Sequence, residues 1–316
     1  MKIINELYNA YVKLSSIAKI IFWIFVFLLS IQIFKTFSIN GNGKGNIESF
    51  QQDDDFLFIE GDKVYDDFYA SIYDNLVYSN IKNSYEIGEI VNKTTPTTES
   101  IILDVGCGTG HHISKLMDMG FENSIGVDKS TAMIKRAKEN YPQYNFMVGD
   151  VLRSSTFQPQ SFTHILCLYF SIYYLKNKEL FFQNCYSWLM PGGYVVVHLV
   201  DRSKFDPILP PSNPLYLVSP QRYAKERITS SKVSFNDFEY QGNFVLNENT
   251  NTARFVEKFS GKTTNKRRRQ EHIMYMEDTH SILQLAQNVG FIINGQIDLI
   301  NVSYEYQYLY ILQKPE

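Results

Sequence analysis

An apolar run that breaks into three glycines at alternate positions limits this chain more than any other feature. Residues 102–112 read ILDVGCGTGHH. Such a stretch is a strand running into a loop whose backbone a ligand can approach closely, followed by a helix start. Around it, strand and helix patterns alternate. SIILDV, SIGVD, YNFMVGD, FTHILCLYF and GYVVVHLV read as strands. Between them, residues 111–119, 130–140 and 178–189 carry helical spacing, with Gly120 and the PGG at 191–193 as stop signals. The alternation predicts a parallel sheet with helices on both faces.

Helical spacing also precedes the loop, at Phe68, Ile72 and Leu76 and again at Ile87, Ile90 and Val91, which predicts two helices over 66–92. After Asp201 the pattern changes. A proline-rich loop, DPILPPSNP, leads into short alternating runs (KVSFNDFEY, GNFVL, ARFVEKF, EHIMYM). These predict an antiparallel β-rich insert over 212–276, ahead of a helix at 279–289 and two closing strands.

The N-terminus has a different composition. Residues 20–34, IIFWIFVFLLSIQIF, are interrupted only by Ser30 and Gln32 and bracketed by Lys19 and Lys35. Extended to Ile39, the segment approaches the roughly 20 apolar residues of a membrane-spanning helix. A signal peptide, an interfacial helix and a buried helix are the alternatives. The expected organisation is an anchor at 1–40, a flexible polar linker at 41–55 and a folded domain at 56–316. The expected localisation is a single-pass membrane protein with its catalytic domain in the cytosol. A net charge of -3 provides no global attraction to nucleic acid. Three scattered cysteines, Cys107, Cys167 and Cys185, lack metal-ligand spacing and read as reduced thiols; no metal site is expected.

Which ligand the loop holds depends on spacing and charge. A dinucleotide fingerprint is G-x-G-x-x-G, whereas here Gly106, Gly108 and Gly110 are followed by His111. Asp104, just ahead of the loop, would repel a pyrophosphate and attract an ammonium group. Asp128 ends the second strand, where a carboxylate accepts bonds from ribose hydroxyls. Asp150 ends the third and suits an adenine amino group. Three acids at three strand ends fit an adenosine carrying a charged amino-acid tail.

LDVGCGTG, GVDKSTAMIKRAKEN, NFMVGDVL and LMPGGYVVV, in this order and spacing, resemble the class I S-adenosylmethionine-dependent methyltransferase family over about residues 65–200. The resemblance implies a Rossmann-like, seven-stranded mixed sheet with its last strand antiparallel. It implies S-adenosyl-L-methionine as cofactor, with Asp104 and the Gly106, Cys107, Gly108 and Gly110 loop at the methionine part. Asp128 takes the ribose, with Lys129 and Met133 nearby; Asp150 and the Val151 amide take the adenine, with Leu168 at the next strand end. One departure is His164, where the family often has an aspartate.

Methyl transfer from a sulfonium needs alignment, with a base only where the acceptor must lose a proton. Candidates at the strand ends are His198, Tyr173 and Tyr174, with a satisfied strand histidine the equal alternative for His198. Tyr65, Tyr69 and Tyr73 could close over the cofactor, since an aromatic face suits a cation, or could be core. LYFSIYY after the fourth strand lacks the DPPY, Pro-Cys and paired-glutamate signatures of nucleic-acid and arginine methyltransferases. A small-molecule acceptor methylated on N or O is expected. Alternatives are a non-catalytic adenosylmethionine-binding protein tethered to a membrane, or an NAD-dependent oxidoreductase. KRRR at 266–269 reads as a solvated hairpin loop, with a phosphorylated acceptor or an anionic membrane as functional alternatives.

Overall fold

A computed structural model describes residues 15–41, 55–209 and 220–316. The chain divides into two units, Met1–Ile47 and Glu48–Glu316. The described part of the first is one helix, α1 (Ser16–Gly41). Among the described residues no helix is long and apolar enough to cross a membrane. This overturns the expected transmembrane helix, and with it the single-pass localisation. The helix is real, but its uninterrupted apolar run, residues 20–29, is about half a bilayer's need before Ser30, Gln32 and Lys35 intervene. The expected linker lies almost wholly outside the described residues, as does the start of the expected insert.

The second unit holds two sheets. Seven strands form the larger: β2 (Ile102–Val105), β3 (Ser124–Asp128), β4 (Asn145–Val148), β5 (Phe162–Cys167), β6 (Leu189–Val200), β11 (Ile292–Asp298) and β12 (Gln307–Gln313). Their order is β11-β12-β6-β5-β2-β3-β4. The five from β2 to β6 are parallel, and β12 pairs antiparallel with both β6 and β11. The order reverses between β2 and β5, the switch point at which open α/β sheets take ligands. Here the expected fold holds, except that PGG does not stop a helix but lies within β6, whose pairing to β5 shifts register there.

Helices cover both faces: α2 (Asp67–Val77), α3 (Asn80–Thr94), α4 (His111–Asp118), α5 (Thr131–Asn140), the single turn α6 (Ser171–Tyr174), α7 (Lys178–Trp188) and α8 (Thr279–Val289). Side chains start several of them. Asp66 accepts the Tyr69 amide at 3.0 Å, Ser130 the Met133 amide at 3.1 Å and Asp278 the Ser281 amide at 2.9 Å. Such caps satisfy amides that a first turn leaves open, each worth about 1 kcal/mol. Two apolar cores flank the sheet, one around Trp188, Phe181 and Val197, the other around Ile87, Ile113 and Leu309.

The smaller sheet is the expected antiparallel insert with an unexpected member. β7 (Ser230–Ser234), β8 (Phe238–Asn247), β9 (Thr252–Gly261) and β10 (Arg267–Tyr275) pair antiparallel. β1 (Phe56–Glu60) joins them parallel to β10 at the edge. A third core packs this sheet on α2 and α5 through Tyr240, Phe259, Ile72 and Met133.

Strand β10 also corrects the reading of KRRR. Arg267, Arg268 and Arg269 are in a strand, not a loop, so they alternate in direction. Arg267 and Arg269 are exposed, whereas Arg268 is buried. Its guanidinium holds both Asp66 carboxylate oxygens, at 2.8 and 3.0 Å, and lies over the Phe68 ring. Breaking a buried pair leaves a charge uncompensated. Arg268→Ala should therefore lower unfolding free energy by about 3 kcal/mol, whereas Arg267→Ala should stay within about 0.5 kcal/mol. Denaturant midpoints of the two variants decide; equal losses would contradict the alternation.

Candidate functional site

A cavity of about 930 Å³ opens over the carboxyl ends of β2, β3 and β4 and reaches under the smaller sheet. Its floor begins at the glycine loop. Gly106 and Gly108 take left-handed φ values of 68° and 55°. A Cβ on Gly106 would stand 2.5 Å from Ser171 Oγ, so nothing larger fits there. At Gly108 the nearest atom to such a Cβ is Tyr73 Cε1 at 3.7 Å, which leaves this backbone open to the cavity. Asp128 locks the loop in place. Its Oδ2 accepts the Gly108 amide at 3.0 Å and its Oδ1 the Ser130 amide at 2.8 Å. Burial raises its carboxyl pKa, an effect the Ser130 and Gly108 amides oppose. Each oxygen keeps a lone pair for a ligand.

The expected cofactor residues divide into three groups. Tyr65, Tyr69, Gly106, Gly108, Asp128, Lys129, Met133, Asp150 and Val151 line the cavity. Lys129 is largely exposed and paired to Asp62 at 2.5 Å. Cys107 and Leu168 instead line a side cavity of about 80 Å³, which shares Gly106, Gly108, Tyr73 and Tyr169 with the large one. Asp104 and Gly110 line neither. Gly110 begins α4, with its α-carbon facing Phe146.

Asp104 is 1% exposed and faces His112, with Oδ2 3.6 Å from Nδ1. His112 also stands 3.5 Å from Glu86, whose other oxygen holds Lys82 at 2.6 Å. Burial alone would lower the His112 pKa, but the two carboxylates hold it up at about 9. Burial likewise opposes the charge on Glu86, and Lys82 and His112 overcome it, bringing that carboxyl to about 2. The field of Asp104 is thus spent largely on an imidazolium.

Of the three catalytic candidates only Tyr174 reaches the cavity. Tyr173 is fully buried and its hydroxyl accepts the Val200 amide at 2.8 Å. His198 is also fully buried, its Nδ1 accepting the Phe170 amide at 3.1 Å. Burial, with Lys82 nearby, pushes its pKa down to about 3. That amide belongs to a strained turn: Tyr169 and Phe170, neither a glycine, have φ values of 41° and 60°. His198 thus braces the turn that carries Tyr169 and Phe170 to the cavity wall, without itself lining the cavity.

Other residues were not singled out by sequence. His272 on β10 lines the cavity, with Nδ1 3.0 Å from the Tyr174 hydroxyl and Nε2 2.7 Å from Glu257 Oε2. Tyr65, Tyr69 and Tyr73 complete an aromatic cluster, Tyr65 lying edge-on to Tyr174 and His272 at 5.7 and 5.6 Å. Burial raises the pKa of all three phenols, so they face a ligand neutral. Phe205, Phe244, Phe255 and Met274 form the far wall, where Asp206 and Lys176 are the charged members. Among the described residues no cluster of His, Cys, Asp and Glu could hold a metal ion.

Fold and cavity define an α/β protein with a large cavity at the switch point of its sheet. The profile of the methyltransferase-domain family matches residues 102–193. Two curated relatives are sugar N,N-dimethyltransferases. One acts on dTDP-4-amino-2,3,4,6-tetradeoxy-D-glucose in Saccharopolyspora spinosa; it is 29% identical over 44% of this chain and 57% of its own length. The other acts on dTDP-3-amino-3,4,6-trideoxy-alpha-D-glucopyranose in Streptomyces venezuelae; it is 30% identical over 42% and 58%. The chain thus spans less than two thirds of the length of either. A solved adenosylmethionine-dependent methyltransferase of Clostridium acetobutylicum shares the fold, with a TM-score of 0.60 at 17% identity, covering 78% of this chain and 98% of its own. Residues 102–193 thus match a methyltransferase domain, and they lie on the fold of S-adenosylmethionine-dependent methyltransferases.

The pairing of His112 has a consequence for stability. Its folded pKa of about 9 exceeds the ordinary 6.5. The stabilisation is therefore complete below 6.5 and lost as pH rises through about 9. Unfolding free energy should decline across that window, and His112→Gln should flatten the decline. An equal slope in both proteins would place the imidazolium elsewhere.

Proposed function

We propose that this chain transfers the methyl group of S-adenosylmethionine to a nitrogen or oxygen of a small molecule. The observation that carries this reading is a single cavity joining Asp128, Asp150 and the open Gly108 backbone to an aromatic cluster beneath the smaller sheet. In this reading Asp128 takes the ribose hydroxyls, while Asp150, Val151 and Met133 surround the adenine. The Gly106–Gly108 backbone and Tyr73 flank the methionine part. Asp104 acts through the loop and His112, since its carboxylate does not reach the cavity. The cofactor supplies an already activated methyl group. The protein's task is to orient the acceptor and exclude water, and the faces of Tyr65, Tyr69 and Tyr73 favour a sulfonium over a neutral thioether.

A volume near 930 Å³ accommodates the cofactor with a small acceptor. The Phe205, Phe244, Phe255 and Met274 wall favours an acceptor with an apolar body, and Lys176 and Asp206 offer charges to a polar end. Amino sugars, the substrates named for the two dimethyltransferases, match that description.

The full chain, supplied with methyl-labelled adenosylmethionine and fractionated metabolite extracts that include nucleotide-linked amino sugars, should release labelled product and adenosylhomocysteine in equal amounts. Bound adenosylmethionine with no label transferred to any fraction would leave a binding protein without catalysis. Binding has its own test. Hydrogen bonds to a charged acceptor are worth roughly 1.5–3 kcal/mol, so Asp128→Ala should weaken adenosylmethionine at least about tenfold by calorimetry. Asp104→Asn should weaken it less. The opposite ranking would make Asp104 the contact and misplace the ribose.

A further inference from the structure

We propose that Tyr174, His272 and Glu257 form a proton relay that takes the proton released when the acceptor is methylated. The proposal rests on the methyltransferase reading above. The smaller sheet would then supply catalytic residues as well as a wall.

The direction of the relay follows from its hydrogen bonds. Glu257 is fully buried and its carboxylate accepts three donors: Tyr240 Oη at 2.8 Å on Oε1, and Gln270 Nε2 and His272 Nε2, each at 2.7 Å, on Oε2. Burial opposes its charge, but the bonds from His272, Gln270 and Tyr240 keep the carboxyl below its usual range. A carboxylate only accepts, so His272 Nε2 carries a proton and the neutral ring has its lone pair on Nδ1. The Tyr174 hydroxyl, 3.0 Å away, donates to that lone pair. Its oxygen accepts from the Tyr65 hydroxyl and keeps its other lone pair for a proton from the cavity. Gln270 cannot turn its amide, because Arg268 Nε holds Gln270 Oε1 at 2.7 Å while Asp66 holds the guanidinium. One polar chain thus runs from Asp66 through Arg268, Gln270, Glu257 and His272 to Tyr174.

The step balances as follows. The acceptor's lone pair forms the new bond to the methyl carbon as the carbon–sulfur bond breaks, and sulfur keeps that electron pair. The methylated atom is left with one excess proton. This proton passes to the Tyr174 oxygen while the Tyr174 hydroxyl proton passes to His272 Nδ1. Tyr174 is again a neutral phenol, and the imidazolium lies against Glu257. Burial raises the pKa of Tyr174, so a free phenolate is avoided and a concerted handover is favoured. The groups facing His272 from the elements around it are Tyr174 on α6, Glu257 on β9, and Tyr65 and Tyr69 at the start of α2; its other ring neighbour, Phe255, carries no charge. Glu257 is the one charged member, and its carboxylate faces the ring nitrogen opposite the one that meets Tyr174. His198, the stronger candidate by sequence, has no such access.

The test uses the full chain, methyl-labelled adenosylmethionine and one fixed metabolite extract as acceptor. His272→Gln, which keeps a donor for Glu257, and Tyr174→Phe should each bind adenosylhomocysteine within about threefold of wild type. Each should slow label transfer about 100-fold or more, the usual contribution of a general base. Wild-type transfer should slow in deuterated water, and His272→Gln and Glu257→Gln should each lose that sensitivity. A purely structural trio would leave the isotope effect in place. Transfer within threefold of wild type in His272→Gln, or an unchanged isotope effect in Glu257→Gln, overturns the relay and spares the methyltransferase reading. Loss of adenosylhomocysteine binding in both single variants also overturns it, since the trio would then only hold the fold. A wild-type chain that binds adenosylhomocysteine but moves no label overturns the parent reading, and the relay with it.

Discussion

The two amide bonds to Asp128 set the geometry on which the rest of the site depends. One fixes the loop after β2, the other the first turn of α5. The Gly106 and Cys107 amides add to this by donating to the Val127 carbonyl at 2.8 and 3.1 Å. The loop is therefore tied to the end of β3 from both sides of a single residue pair. Ser130 extends the tie: it caps α5 and donates to the Tyr65 carbonyl at 2.6 Å. Moving Asp128 would displace the glycine backbone, a helix start and the first cavity tyrosine together.

This economy explains why the floor of the site is legible in the sequence. Strand ends, a glycine loop and serine caps are local features, and the parallel sheet places consecutive strand ends side by side without any long-range information. That Asp128 and Asp150 come to one cavity was readable for that reason. Asp104 was readable as a residue but not as a contact. It faces His112, whose charge Asp104 and Glu86 on α3 hold together, and no spacing rule connects those three positions.

The roof is long-range, and there the sequence is silent. β1 joins the smaller sheet across about 200 residues of chain, parallel to β10. An edge strand of five residues, FLFIE, that exposes Phe56 and Phe58 and half-buries Leu57 and Ile59 carries no polar–apolar alternation that would mark it out. KRRR reads as a charge run because composition outweighs alternation over four residues; only the pairing of Arg268 with Asp66 turns the second arginine inward. His272 sits within EHIMYM, a run that looks like plain strand, and its function depends on Glu257 one strand away. N-terminally, composition misled in the other direction: aromatic density over residues 20–34 suggested a span that its polar interruptions deny.

Placing the charged cluster of Lys82, Glu86, His112 and Asp104 behind the glycine loop has a chemical logic. Buried ion pairs rarely add net stability over well-packed apolar groups, because desolvation offsets most of their attraction. In this cluster Glu86 Oε2 and Asp104 Oδ2 meet His112 at 3.5 and 3.6 Å, longer than ordinary hydrogen bonds, so their attraction to the imidazolium is mainly one of charge. Lys82 lies 4.7 Å from the centre of the Tyr169 ring and 5.2 Å from that of Tyr304, and both rings line the large cavity. Charge balance behind the loop is thus coupled to the aromatic wall through two cation–π contacts. A ligand that pressed on Tyr169 would act on a turn already held in left-handed geometry and braced by His198. The arrangement favours a rigid rear wall, and leaves the choice of acceptor to the far side of the cavity, where Phe244, Phe255 and Met274 come from the smaller sheet.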